Sequence, residues 1–190
     1  MKFFLDKTFI IEHLEPKVYD WCKLEYAHIS SFVGKNNLIF TNTNSSALKN
    51  FGKIEHRSVM KLKLEKPCIL DPEAKEALTP KIAKKYDCFI FGGILGDDPP
   101  RARTEEELSS KLNYPKFNLG KEQMSTDTAV IVTKMICDGK KLSELKFQEG
   151  IELEISDGES VQLPYKYLLV KGKPMLPAGL VEMLKKQEGF

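Results

Sequence analysis

Short apolar runs alternate with helical periods through the first half of the chain. TFIIEHLE, from Thr8 to Glu15, reads as a strand, and Pro16 marks the turn that follows. From about Val18 to Val33, the residues Val18, Trp21, Cys22, Leu24, Ala27, Ile29 and Phe32 recur at helical spacing, which predicts a helix with one apolar face. Asn36-Asn37 then introduce a second strand, LIFTN, and Asn42 to Ser46 supply turn and N-cap chemistry for a short helix through Leu48. VMKLKL, from Val59 to Leu64, alternates with a period of two and predicts another strand. CILDP is a short strand stopped at Pro72, and Thr79-Pro80 open a helix ending near Tyr86. The most apolar strand, CFIF, follows Asp87. This rhythm is the mark of an α/β protein with a mainly parallel sheet flanked by helices.

The second half changes character. Ser125-Thr126-Asp127 open a helix whose Ala129, Val130, Val132, Thr133 and Ile136 keep helical spacing until Gly139. From Lys146 onward the chain is rich in strand signals: IELEI and VQLPYKYLLV flank Asp157-Gly158, a hairpin turn pair, and an amphipathic helix covers about Ala178 to Lys186. The expected organisation is an α/β core over residues 1–145, with a C-terminal β-hairpin and helix extension over 146–190 packed on it.

Composition narrows the field. At 190 residues, with 42% hydrophobic and 29% charged, the chain has enough apolar surface for one ordered domain, and no low-complexity tract interrupts it. The formal net charge is only +2, so any contact with nucleic acid must come from a local patch. The N-terminal apolar stretch is broken by Asp6, Lys7 and Glu12, and nowhere do eighteen apolar residues run together, which predicts a cytoplasmic protein with no membrane partner. Cys22, Cys68, Cys88 and Cys137 lie far apart beside apolar neighbours, and His13, His28 and His56 are equally scattered. Reduced core thiols and no metal site are the expectation.

Candidate chemistry concentrates in Phe91 to Thr104, FGGILGDDPPRART. Gly92, Gly93, Gly96 and Pro99-Pro100 crowd into nine residues straight after CFIF, where a parallel strand ends and a ligand can approach bare backbone. The glycine spacing is neither that of a dinucleotide fingerprint nor that of a P-loop. The chain has 26 lysines but only three arginines, and two of these, Arg101 and Arg103, stand within this loop. A planar guanidinium fork can hold a carboxylate or phosphate in a way an ammonium cannot. The alternative is that these arginines pair with the acidic helix start Glu105-Glu106-Glu107.

FGGILGDDPPRART, together with LDP at Leu70 to Pro72 and NLGKEQMSTDTAV from Asn118 to Val130, closely resembles the SPOUT methyltransferases. The similarity is to the branch containing a eukaryotic arginine methyltransferase of a ribosomal protein and archaeal relatives described as RNA methyltransferases. It extends from IIEHLE and LEYAHI to the C-terminal PYKYLL and GKPMLP. Asp98 and Ala102 depart from the branch, which often has histidine at the first position and glycine or aspartate at the second; the departure bears on substrate identity.

The resemblance implies a trefoil-knotted chain, which general topology rules would not propose, and a bent S-adenosylmethionine held by the knot loops. Carried over by motif, the cofactor-binding residues are Leu70, Asp71, Phe91, Gly92, Gly93, Ile94, Leu95, Gly96, Asn118, Leu119, Gly120, Met124, Ser125 and Thr126. Leu119, Met124 and the Ala129/Val132 stripe also have an ordinary reading as core. The glycines would let backbone groups reach the cofactor, so Gly93→Val is expected to abolish its binding. The N-terminus of the helix at Ser125 suits the methionyl carboxylate.

Candidate catalytic residues are Asp97, Asp98, Arg101, Arg103 and Glu105. An arginine nucleophile must lose a proton as it gains a methyl, so carboxylates should surround it; the acidic stretch Glu149 to Glu159 offers a receiving surface for a basic polypeptide. An RNA substrate would instead call for a cationic border, with Lys140, Lys141 and Lys146 extending it. Near-neutral charge and the resemblance together favour a ribosomal or ribosome-associated polypeptide, with RNA methylation and a non-catalytic S-adenosylmethionine sensor as alternatives. SPOUT enzymes are usually dimers, but no oligomer signal is visible, and a C-terminal piece covering the usual interface would as easily leave a monomer, so the oligomeric state stays open.

Overall fold

The computed structural model describes residues 7–95, 102–156 and 158–186. Among them, β1 (Thr8–His13), β2 (Leu38–Thr41), β3 (Lys53–Ile54), β4 (Pro67–Leu70), β5 (Cys88–Gly93) and β6 (Lys116–Phe117) form one parallel sheet in the order β3-β2-β1-β5-β4-β6. The helices are α1 (Asp20–Val33), α2 (Pro80–Ala83), α3 (Arg103–Glu107), α4 (Thr126–Cys137) and α5 (Leu180–Lys186).

Side chains alternate across a strand, and this sheet sends each set into its own core. Phe9, Ile11, Cys68, Leu70, Phe89 and Phe91 pack on one face with Cys22, Tyr26 and Ile29 of α1 and with Val130 and Ile136 of α4. Ile10, Ile69 and Ile90 face the other way, against Val59 and Leu108. Because both faces are covered, the central strands read as unbroken apolar runs rather than as an alternation. Thr79 caps α2 by accepting a hydrogen bond from the Ile82 N–H at 3.3 Å, with Pro80 following it. Gly139 lies just beyond α4 at φ +106, a conformation that favours glycine.

VMKLKL does not form the expected strand. Val59–Lys61 is a single 3-10 turn, capped by the Ser58 side chain, and the Val59 N–H donates to the buried Glu12 carboxylate at 2.9 Å. The alternation arises because Val59, Leu62 and Leu64 turn inward from irregular chain while Lys61 and Lys63 stay exposed. The two-residue strands β3 and β6 carry no periodic signal of their own.

At the C-terminal end, β7 (Phe147–Ser156) pairs antiparallel with β8 (Glu159–Val170), and β8 with β9 (Lys173–Pro174). Asp157 of the anticipated turn lies outside the described residues, whereas Gly158 has φ +79. The hairpin and α5 close over α1: Ile151, Leu163, Tyr167, Leu180 and Leu184 bury against one another, with Trp21 and Leu24 packed on them. Leu168 reaches further, into the main core.

Candidate active site

The carboxyl ends of β4 and β5 open into a cavity of about 430 Å³. Leu70, Asp71, Pro72 and Glu73 line it after β4, and Phe91, Gly92 and Ile94 at the end of β5. Ala102 to Glu105, at the start of α3, and Leu119 to Met124, after β6, add two more walls. Thr126 and Ala129 face it from the first turn of α4, and Glu149, Pro164 and Lys166 enclose it from the hairpin. This edge is where open parallel sheets receive ligands, and the size is that of a small-molecule site.

Buried polar contacts hold these loops. Asp71 is 2% exposed, and its carboxylate accepts hydrogen bonds from the Ser109 hydroxyl and, at 3.0 Å, from the Glu73 N–H. Asn118 is a lock rather than a lining residue. Its side chain donates to the Ala74 carbonyl at 2.7 Å and accepts from the Gly120 N–H at 3.0 Å, while its backbone pairs with Glu76 and Leu78. The exit of β6 is thereby fastened along the segment after β4.

The two loop glycines do different work. A Cβ on Gly92 would meet Ile94 Cδ1 at 3.0 Å and Thr104 Oγ1 at 3.3 Å, both from cavity-lining residues. A Cβ on Gly93 would instead meet the Tyr26 hydroxyl at 2.5 Å and Ile11 Cγ2 at 2.8 Å, inside the sheet–helix core. At Gly93 the missing Cβ thus leaves room for core packing, so loss of function on its substitution would reflect the sheet–helix core, whereas the missing Cβ of Gly92 borders the cavity.

Arg103 is already engaged. Its Nη1 donates to Glu15 at 2.9 Å and its Nε to Glu107 at 2.7 Å. Although burial works against its charge, these carboxylates raise its pKa above the ordinary arginine value. The same Glu15 oxygen accepts the Leu95 N–H at 3.0 Å, so residues 95 and 103 are drawn to one carboxylate. The helix-pairing reading of this arginine is the one the geometry follows. Glu105 lines the cavity. Gly96, Asp97, Asp98 and Arg101 lie outside the described residues.

Leu95 and Ser125 line a second, smaller cavity that shares Ile94, Gln123 and Met124 with the first. The Ser125 hydroxyl lies 2.6 Å from Asp127 Oδ1 and 2.9 Å from Thr128 Oγ1, inside the opening turn of α4. Of the residues that sequence reasoning missed, Glu15 sat in the quoted IIEHLE motif, but nothing marked its partner eighty-eight positions away. Lys166 bonds Glu122 at 2.7 Å and stands 4.9 Å over the Phe147 ring, so the hairpin closes across the loop after β6. Lys140, Lys141 and Lys146 do not line the cavity, whereas Lys121 and Lys166 do. Among the described residues no group of three or more His, Cys, Asp or Glu side chains is placed to hold a metal ion, and no helix is long and apolar enough to cross a membrane.

A cavity at the carboxyl edge of a six-stranded parallel sheet, walled by the loops after β4, β5 and β6, is the site of an open α/β fold, and the likeness to solved structures makes that fold the one shared by the SPOUT methyltransferases. Trm10 from Thermococcus kodakaraensis superposes with a TM-score of 0.58 at 19% identity, over 73% of this chain and 96% of that one, a likeness of fold alone. The family model described as "Protein arginine N-methyltransferase SFM1-like" matches residues 8–189, and the chain belongs to this family. Protein arginine N-methyltransferase SFM1 of Saccharomyces cerevisiae is 36% identical over 94% of both chains. The yeast SFM1 structure complexed with SAM superposes with a TM-score of 0.86 at 36% identity, covering 95% of this chain and 90% of that one. The complex with SAH gives 0.85 at 35% identity, covering 94% of each chain.

Proposed function

We propose that this protein transfers a methyl group from S-adenosylmethionine to an arginine of a polypeptide, with the cofactor in the larger cavity. The observation that carries the reading is the cradle at Gly92, where a single added carbon would intrude between Ile94 and Thr104. It lies at the sheet edge of a chain whose yeast relative was solved with SAM and SAH.

Leu70, Phe91, Ile94, Leu119 and Met124 supply apolar walls, and Gly92 and Gly120 leave the main chain uncovered. Gly120 has φ +108, a conformation costly for any side chain, so the turn after β6 presents bare backbone. Thr126 and Ala129 bring the positive end of α4 to the cavity, which suits a carboxylate such as that of the methionyl moiety. When bound, the cofactor supplies a sulfonium-activated methyl group. The protein has to align a nitrogen with it and accept one proton.

A basic polypeptide fits the hairpin, which presents exposed Glu152 and Glu154 on the strand whose Glu149 lines the cavity. We assign that polypeptide to the cytoplasmic ribosomal proteins, a reading supported by the likeness of the loop motifs to their methyltransferases. Incubation with tritium-labelled S-adenosylmethionine, purified ribosomal proteins and ribosomal RNA tests the proposal. Label recovered as methylarginine after acid hydrolysis of the protein fraction is the expected result. Label confined to RNA, or cofactor binding with no transfer, would overturn it.

A further inference from the structure

The smaller cavity, about 220 Å³, lies between α1, the end of β5, the 123–125 loop and β8. It shares the lining residues Ile94, Gln123 and Met124 with the larger one, so the two cavities adjoin. Its remaining features are unlike those of a solvent pocket. Glu25 lines it yet is only 6% exposed, and it accepts a hydrogen bond from Trp21 Nε1, one helical turn earlier, at 3.0 Å. Gln123 Oε1 is buried with no hydrogen-bond donor among the described residues. The Trp21 and Tyr165 rings complete the lining.

Two oxygen acceptors, one of them unmatched, together with two aromatic rings select a flat cation that only donates hydrogen bonds. A guanidinium has five N–H donors, no acceptor and a face that stacks on aromatic rings. A phosphate or carboxylate would meet Glu25 as a like charge whenever it is ionised, and an ammonium, a point donor, lacks the planar face that stacks on the rings while its edge donates to the acceptors.

Resting on the arginine reading above, we propose that this cavity is the subsite for the substrate guanidinium and that Glu25 is the carboxylate that receives it and takes its proton. As the nitrogen–methyl bond forms and the donor sulfur–methyl bond breaks, one N–H proton passes to Glu25. Of the two positive charges that entered, one leaves on the methylated guanidinium and the other as the proton held by the carboxyl group.

The surroundings of Glu25 suit such a proton acceptor. Burial, and then the neighbouring Asp127, hold its pKa well above the usual carboxylate range. Asp127 is itself bound by His28 Nδ1 at 2.7 Å and by Ser125 at 2.6 Å. The nearby Tyr26, Tyr167 and Cys22 all have raised pKa values, so burial disfavours their anions. An arriving guanidinium would displace the Glu25 proton, and its binding should therefore tighten as pH rises until Glu25 is fully ionised.

Trp21 is the single tryptophan of the chain and lies in the subsite, so its emission reports occupancy directly. Protein saturated with S-adenosylhomocysteine is titrated with N-acetylarginine amide, and with the citrulline and lysine analogues. Saturable quenching by the arginine probe is expected, with affinity at least tenfold weaker for the other two. Glu25→Gln, which still accepts the Trp21 hydrogen bond, should lose at least tenfold in affinity and all of the pH dependence. If that variant does not fold, Glu25→Asp, which retracts the charge by one methylene, should show the loss with the pH dependence retained. Equal response to citrulline, or unchanged binding in the folded variant, would overturn the subsite. Undiminished methylation by Glu25→Gln would do the same and leave the activity standing; absence of transfer by the wild type would sink the activity, with the titrations still deciding the subsite.

Discussion

Adjacent glycines in one strand can lack a Cβ for opposite reasons, and Gly92 and Gly93 separate them. At Gly93 the missing Cβ makes room for the Tyr26 hydroxyl and Ile11 within close-packed core, where an inserted side chain typically costs about 1–3 kcal/mol. Gly93→Val should therefore lower the unfolding free energy by that order, read as a shift of the denaturant midpoint to lower concentration. At Gly92 the added carbon faces Ile94 and Thr104 in the cavity, so Gly92→Ala should weaken S-adenosylmethionine several-fold while stability changes little. Calorimetric titration and urea unfolding on both variants check the split. The glycine pair itself was legible in the sequence. Which glycine met the core and which the cavity was not, because that depends on α1 lying over β5, and Tyr26 is separated from Gly93 by more than sixty residues.

At the scale of elements, α3 is tied to the turn after β1 through Arg103, which also lines the cavity. Arg103 forks between Glu15 and Glu107, and its side chain is 19% exposed, so both contacts are partly shielded from water. Hydrogen bonds to charged groups in such settings contribute about 1.5–3 kcal/mol. Arg103→Lys keeps the charge but cannot span both carboxylates, so it should weaken cofactor binding, and Glu15→Gln added to it should cost little more. A double-mutant cycle on S-adenosylmethionine affinity measures that coupling; additive losses would show that the two residues act separately. The scarcity of arginine in the chain drew attention to this position, but a linear sequence does not say which carboxylate an arginine meets. The false strand at VMKLKL has a similar origin. A period of two records which residues turn inward, and irregular chain lying on a sheet does that as well as a strand with ladder partners.

For the whole molecule, the C-terminal hairpin is a wall of the site as well as an addition to the core. Glu149, Pro164 and Lys166 enclose the cavity, Tyr165 lines the smaller one, and Leu163 and Tyr167 bury with α5 beneath Trp21 and Leu24. A chain ended at residue 145 should lose S-adenosylmethionine binding and expose the apolar side of α1. Size-exclusion chromatography and calorimetry are expected to show association and no heat of binding; a monodisperse truncated chain with intact affinity would remove the hairpin from the site. By itself the sequence determined the parallel sheet, its main helices, the hairpin and the three loop motifs, since apolar periodicity, caps and turn residues act over a few positions. Only the tertiary structure decided that Glu15 would bind Arg103, that Lys166 would reach Glu122, and that Glu25, Trp21 and Gln123 would share one small chamber beside the larger cavity. Those pairings join residues far apart in the chain, and their energies depend on burial and distance that arise only once helices and hairpin have closed over the sheet.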